Sequence, residues 1–436
     1  MKQQRTHPLG VPTMPGSQTA PTDDGGTARA ARVTGADRLL VNRLAKAVGF
    51  PPVAFALWDG VDAYAPDDEA TIVGRLTFRD RAALISSIAS PELGFGDAYS
   101  AGRIDIGGDL AQVLFTIYRS MAHAGPGARK RSLFGRLPKP QVNTRAGSRK
   151  HIHHHYDLGN EFYRLWLDEK MVYTCAYYRD REASLEEAQM AKMHHVCRKV
   201  RLKAGMRVVE AGCGWGSLAL HMAEHYGVRV KAFNISHQQI AYAREQAKAR
   251  GLARCVEFIE DDYRNVSGEF DAFVSVGMLE HVGKENYKNL GDVIYRSLKR
   301  GGLGIIHSVG RSRTAPPNAW LEQRIFPGSY PPSLRDMQDI FEAHEFSILD
   351  IENLRLHYAE TLMEWLRRFD DHADEIVRMY DESFVRAWRL YLGGCAAAFL
   401  ASTIQLFQVV FAHSDDNRIP MTRAPVYGID GPDWDL

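Results

Sequence analysis

Val208-Val-Glu-Ala-Gly-Cys-Gly-Trp-Gly216 decides the fold. Two β-branched residues run into an acid and then into alternating glycines. This pattern predicts a buried strand that breaks into a tight turn and opens a helix. The glycines let the backbone approach a ligand with no Cβ in the way. Glu210 stands at the end of the strand, where open α/β sheets bind their ligands. The spacing differs from the G-x-G-x-x-G of dinucleotide sites, which argues against a nicotinamide enzyme. A glycine-rich turn without a ligand is the plain structural alternative.

Outward from this turn, strands and helices alternate. Strands are expected at 206–211, 228–234, 255–259, 270–276, 302–308, 346–351 and 404–411. Helices are expected at 216–226, 236–250, 286–298 and 333–343. Alternation of this kind implies a doubly wound, mostly parallel sheet of seven strands with helices on both faces. Between the last two strands lies 360–400, with Leu362, Trp365, Leu366 and Phe369 at helical spacing, as the wall of a substrate pocket. From Leu390 to Ala412 no residue is charged, long enough to imitate a membrane span. Gly393, Gly394, Ser402, Thr403, Gln405 and Gln408 dilute it, and its second half is rich in β-formers. A buried helix followed by a buried strand is the better reading.

The 436 residues suffice for two domains, and 45% hydrophobic with 25% charged residues is an ordinary globular balance. Residues 1–36 lack apolar periodicity and read as a disordered tail. Residues 37–122 mix short apolar runs (53–57, 70–73) with helical patterns (80–88, 109–121), a small α+β domain. Residues 123–148 read as a basic linker, 149–413 as the catalytic domain and 414–436 as a tail. The net charge of +1 gives no global nucleic-acid signal. Leu110 to Tyr156, however, holds no Asp or Glu and nine Lys or Arg, among them Arg129, Lys130 and Arg131. Such a stretch suits an anionic surface, lipid or nucleic acid, or is simply a solvated linker. The five cysteines include no C-x-x-C pair, which points to reduced thiols in a cytosolic protein. No secretory signal is visible.

Several polar residues fall just past strand ends. Asn234 and Gln239 follow the second strand and suit a ribose; a helix cap by Ser236 is compatible with both. Glu260-Asp-Asp-Tyr-Arg264 follows the third strand and suits an adenine ring, or is an acidic loop. Glu280 and His281 follow the fourth strand, and His307 ends the fifth. Cys175 lies among the aromatics of Val172–Tyr178, and Tyr358 precedes the helical insert. Each alone reads as structural; their joint placement around one crevice points to a site.

The E-x-G-x-G-x-G pattern resembles the signature of S-adenosylmethionine-dependent methyltransferases. Over nearly its full length the chain also resembles the cyclopropane fatty acid synthases, in their long bacterial form with an amino-terminal domain. The matching boxes are His155–Asn160, Tyr173–Tyr178, Gly212–Gly216, Asp262–Arg264, Met278–Gly283, His307–Gly310, Ile325–Gly328 and Gln405–Phe411. The resemblance implies a Rossmann-like methyltransferase domain preceded by a small α+β domain. It implies that S-adenosylmethionine methylates the cis double bond of an acyl chain in a membrane phospholipid, and that loss of a proton closes a cyclopropane. A bound bicarbonate ion would be the base, held by Glu280, His307 and Tyr358 with backbone support near Cys175 and Val309. Cys175 would then be a wall, not a nucleophile. Cofactor contacts carried over are Tyr173, Thr174, Gly212, Gly214, Asn234, Gln239, Tyr263 and Arg264. The chain departs from the family at Asn234 (commonly Thr), Glu210-Ala211 (commonly Asp-Ile) and Val309 (commonly Ile).

The implied partners are phospholipids with unsaturated chains, at the inner face of the membrane, approached peripherally from the cytoplasm; the resemblance also extends to a homodimer. No nucleic-acid partner is expected. No metal is expected at His151, His153, His154 and His155, which lack spaced Cys or carboxylate partners. The alternative product is a methyl- or methylene-branched chain. Small-amine methyltransferases and a non-catalytic lipid carrier fit less well, the first for lack of need of residues 37–122, the second because the cofactor boxes are complete.

Overall fold

The computed structural model describes residues 8–12, 32–123, 158–419 and 422–427. The basic linker from 124 onward, the histidines at 151–155 and most of the residues read as a tail lie outside the described residues. Within that tail, Leu9 and Val11 are buried. The chain divides into two units. The first combines the amino-terminal residues with Asn318–Ile325 and Leu362–Thr403; the second holds the rest.

The first unit opens with α1 (Gly35–Ala47), started by a capping box between Thr34 and Asp37. Then come β1 (Ala54–Ala56), β2 (Asp62–Tyr64), β3 (Arg75–Phe78), α2 (Arg81–Ala89), α3 (Leu93–Ser100), β4 (Ile104–Gly107) and α4 (Leu110–His123). The apolar run 70–73 is not a strand: it leaves a 3-10 turn, Glu69–Thr71, and leads into β3. The sheet order is β2-β1-β3-β4, with β1 and β3 parallel. Arg81 grips the Asp37 carboxylate with two bonds of 2.8 and 2.6 Å, which holds that acid down at about 2.

The second unit carries α5 (Asn160–Arg164), α6 (Leu185–Lys199), β5 (Arg207–Ala211), α7 (Ser217–Tyr226), β6 (Arg229–Asn234), α8 (His237–Ala249), β7 (Val256–Glu260) and β8 (Phe270–Val276). It continues through α9 (Tyr287–Ser297), β9 (Leu298–Gly310), α10 (Leu334–Phe341), β10 (Ser347–Asn353) and α11 (Arg355–Asp371). After α12 (Ala373–Met379) and α13 (Glu382–Leu400) the chain returns as β11 (Gln405–Ala412). The seven strands run β10-β11-β9-β8-β5-β6-β7, parallel except where β11 pairs antiparallel with both neighbours.

Alternation along each strand feeds two cores. Val208, Ala272, Val274 and Ile305 pack with α6, α7 and α8. Val209, Phe273, Ile306 and Phe411 pack with α9 and α10. Successive side chains of a strand point to opposite faces, so a sheet covered on both sides needs apolar residues throughout. The sequence supplies them, and every expected strand of this sheet forms.

Helices α12 and α13 belong to the first unit, and the division runs through α11 after Thr361. α13 buries Phe384, Trp388 and Leu392. It meets α4 closely at Gly393, where an added Cβ would lie 3.1 Å from Leu110. Arg386 donates to the carbonyls of Tyr99 and Ile104 at 2.7 and 2.6 Å. The uncharged stretch 390–412 thus forms the end of α13 and all of β11. Among the described residues no helix is long and apolar enough to cross a membrane.

Candidate active site

Strand β5 has β6 on one side and β8 on the other, so strand order reverses there and a crevice opens beyond the carboxyl ends. Three glycines of the turn after β5 do different work. Gly212 (φ +86°) lies under Met278, whose Cβ would be 2.8 Å from an added Cβ. Gly216 (φ +85°) starts α7, and a Cβ there would enter the Phe258 ring at 2.6 Å. Gly214 (φ +52°) faces open space, with no atom within 4 Å of an added Cβ. That is the place where a ligand can reach the backbone.

Of the residues the resemblance assigns to a cofactor, the structure brings Tyr173, Thr174, Gly212, Gly214, Asn234 and Gln239 together as the lining of this crevice. Asn234 donates to Gln239 Oε1 at 2.8 Å and to the Gly214 carbonyl at 3.2 Å, tying the end of β6 to the glycine turn. Tyr173 packs on Tyr163 and Trp166, with ring centroids 5.4 and 5.2 Å away. Trp215 completes this aromatic floor and donates its indole N–H to Asn160 at 2.7 Å. Tyr263 and Arg264 stand on a 3-10 turn after β7, beside this lining and not in it. Arg264 is held by Asp262 through bonds of 2.8 and 2.7 Å.

A second group is built by β8, β9 and the turn after β8. Glu280 accepts the Val309 amide at 2.6 Å through Oε1, while Oε2 is buried without a partner among the described residues. Burial pushes this carboxyl up to about 7. His307 meets Gln408 across the β9–β11 pair, Nδ1 to Nε2 at 3.0 Å. In this amide orientation Gln408 donates, which leaves the imidazole proton on Nε2. His307 Nε2 is buried and has no partner among the described residues, and burial holds the ring neutral, down to about 3. Buried polar atoms left without a partner are costly, and they mark places where a ligand is expected.

Cys175 is fully buried, its Sγ 3.1 Å from the Ala176 carbonyl, and burial pushes the thiol up. A protonated, enclosed thiol is a wall and not a nucleophile. Tyr358 sits in the opening turns of α11, and the segment after Cys175 docks on those turns. The Ala176 amide donates to Thr361 Oγ1 at 3.0 Å, and the Tyr178 amide to His357 Nδ1 at 3.1 Å. Tyr177 stacks between His195 and His357, with centroids at 4.2 and 4.7 Å.

Two residues of the site escaped the sequence reading. Lys192 of α6 is buried and lines the glycine crevice. Gln408 orients His307. A lysine on the apolar face of a helix was the available signal for the first. The partner of His307 is 101 residues away in sequence, and only the strand pairing reveals it.

Comparison with known proteins is consistent with this geometry. Residues 143–409 match the family model of the mycolic acid cyclopropane synthetases. Residues 40–124 match a domain of unknown function. A probable fatty acid methyltransferase of Pseudomonas putida is 32% identical, over 86% of this chain and 96% of that protein. The cyclopropane-fatty-acyl-phospholipid synthase of Escherichia coli K12 is 42% identical, over 62% of this chain and 69% of its own. Among solved structures, mycolic acid cyclopropane synthase CmaA1 complexed with SAH and CTAB superposes with a TM-score of 0.58 at 26% identity, covering 62% of this chain and 99% of that one.

Proposed function

We propose a reaction for this chain, which belongs to the mycolic acid cyclopropane synthetase family of S-adenosylmethionine-dependent lipid methyltransferases. It adds a methylene group to the cis double bond of an unsaturated acyl chain in a membrane phospholipid, with bound bicarbonate as the base. The observation that carries this reading is that Glu280 Oε2, on the turn after β8, and His307 Nε2, on β9, are both buried without a hydrogen-bond partner among the described residues.

S-adenosylmethionine supplies an electrophilic methyl carbon: the alkene π electrons bond to it as its bond to sulfur breaks, and loss of one of its protons closes the ring. Bicarbonate supplies the acceptor for that proton. The chain's residues do the rest. Gly212 and Gly214 admit the cofactor to the backbone, with Asn234 and Gln239 toward its ribose, and Tyr263 and Arg264 are assigned to its adenine side. Glu280 can act as donor or acceptor near neutral pH, because its carboxyl titrates at about 7. His307 offers a neutral Nε2–H, and Tyr358 a hydroxyl, to the anion. The Val309 amide is engaged by Glu280 and fixes that carboxyl. Cys175 closes the wall without a thiolate that an electron-poor carbon could alkylate. Fixed donors in a dry pocket stabilise developing charge strongly.

The amino-terminal unit is assigned to the lipid surface, approached peripherally from the cytoplasmic side, with the basic stretch favouring anionic headgroups and losing its grip as salt rises. A homodimer is part of this reading. A second reading ends in a methyl or methylene branch. It is favoured by the similarity to a probable fatty acid methyltransferase along 86% of this chain.

Glu280→Gln and His307→Ala test the anion site. Lipid product should fall by about 100-fold or more in each, as for loss of a fixed donor. S-adenosylhomocysteine binding, read by calorimetry, should stay close to that of the unsubstituted protein. Full lipid turnover by Glu280→Gln would sink the assignment.

A further inference from the structure

The crevice holds two buried ionisable side chains that make no ion pair with each other among the described residues, and burial disfavours the charged form of each. Lys192 is 1% exposed, and its ammonium makes one hydrogen bond, to Thr174 Oγ1 at 2.8 Å. Glu210 at the end of β5 is 2% exposed, and its Oε2 has no partner among the described residues. Both line the same crevice as Gly212 and Gly214.

An ammonium carries three donors, so Lys192 keeps two for something other than Thr174. A buried cation without an anion in contact is expensive, and so is a buried carboxylate without a donor. One ligand feature relieves both at once: an amino-acid zwitterion, with its carboxylate toward the lysine and its ammonium toward the glutamate. The glycine turn in the same crevice leaves room, since no atom lies within 4 Å of a Cβ added at Gly214.

We propose that Lys192 is the receptor for the α-carboxylate of S-adenosylmethionine, with Glu210 left to the α-ammonium. This rests on the methyltransferase reading and adds to it a specificity-determining residue. Thr174 then has a second task besides lining the crevice. Its hydroxyl holds the lysine's Nζ in place, while its carbonyl accepts from Gln189 at 2.8 Å, one turn earlier on α6.

The test compares two ligands that differ only in the carboxylate, S-adenosylmethionine and its decarboxylated form. Binding is measured by calorimetry on the full chain without lipid. The unsubstituted protein should prefer S-adenosylmethionine by about 30-fold, the scale of a hydrogen bond to a charged group. Lys192→Met, which keeps length and loses charge, should bind S-adenosylmethionine about 30-fold more weakly and bind the decarboxylated ligand about as well as before. An equal loss for both ligands would make Lys192 a structural residue and overturn the proposal. Equal affinity of the unsubstituted protein for the two ligands would overturn it whether or not the variant folds. Binding of neither ligand would overturn the methyltransferase reading itself, and this proposal with it.

Discussion

Glu280 ties the chemistry of the site to the stability of the protein. Its folded pKa of about 7 lies above the ordinary 4.5 because burial disfavours the charged form. The fold therefore favours the protonated acid. That contribution is intact below pH 4.5 and is lost as pH rises through about 7. Glu280→Gln has no charge to bury, so its stability relative to the unsubstituted protein should rise across this window, by about 3 kcal/mol at pH 8. Urea denaturation at pH 4.5 and pH 8 measures it; a difference independent of pH would contradict the burial argument. His307 has the opposite sign. Its folded pKa of about 3 lies below 6.5, so its contribution is intact above pH 6.5 and is lost as pH falls toward 3. Glu280 falls just past β8 as the sequence placed it, whereas His307, read as the end of its strand, lies inside β9, which continues to Gly310. Lys192 and Gln408 were not legible in sequence, because each acquires its role from a residue brought close only by folding.

At the scale of elements, the glycine turn separates fold from function. Gly216→Ala should cost about 2–4 kcal/mol, since the methyl meets the Phe258 ring and the backbone is left-handed. Gly214→Ala should cost only about 1 kcal/mol, the strain of φ +52° with open space around it. Yet it should weaken S-adenosylhomocysteine binding by about 10-fold or more, because the methyl occupies the ligand's approach. Thermal melts and calorimetry on the two variants separate the effects; undiminished binding by Gly214→Ala would move the ligand away from this turn. The strands of the large sheet were legible to within a few residues, β9 excepted, which extends four residues earlier, because apolar runs bounded by turns leave few alternatives. Their order was not, since pairing is a property of the folded sheet. The helix Leu185–Lys199 was overlooked although Ser184 and Glu187 form a capping box at its start, a signal present in the sequence.

At the scale of the whole molecule, the two units interleave along the chain. The stretch 362–403, which arrives between the last two strands of the large sheet, shares a unit with the amino-terminal residues. A boundary drawn along the sequence does not express such a return. Deleting residues 1–122 would remove Leu110 and Leu114 from beside Gly393 and Gly394, and Tyr99 from beside Arg386. The shortened protein should therefore be cut within 362–403 by dilute protease where the full chain is not; equal resistance would show that α13 stands without its amino-terminal partners. The full chain would be incubated with S-adenosylmethionine and vesicles of a monounsaturated phospholipid. Fatty acid methyl esters would then be read by gas chromatography–mass spectrometry before and after hydrogenation. A product heavier by one CH₂ and unchanged by mild hydrogenation is the predicted cyclopropane. A product of that mass that hydrogenation converts to a methyl-branched chain, or no lipid product at all, would contradict the account.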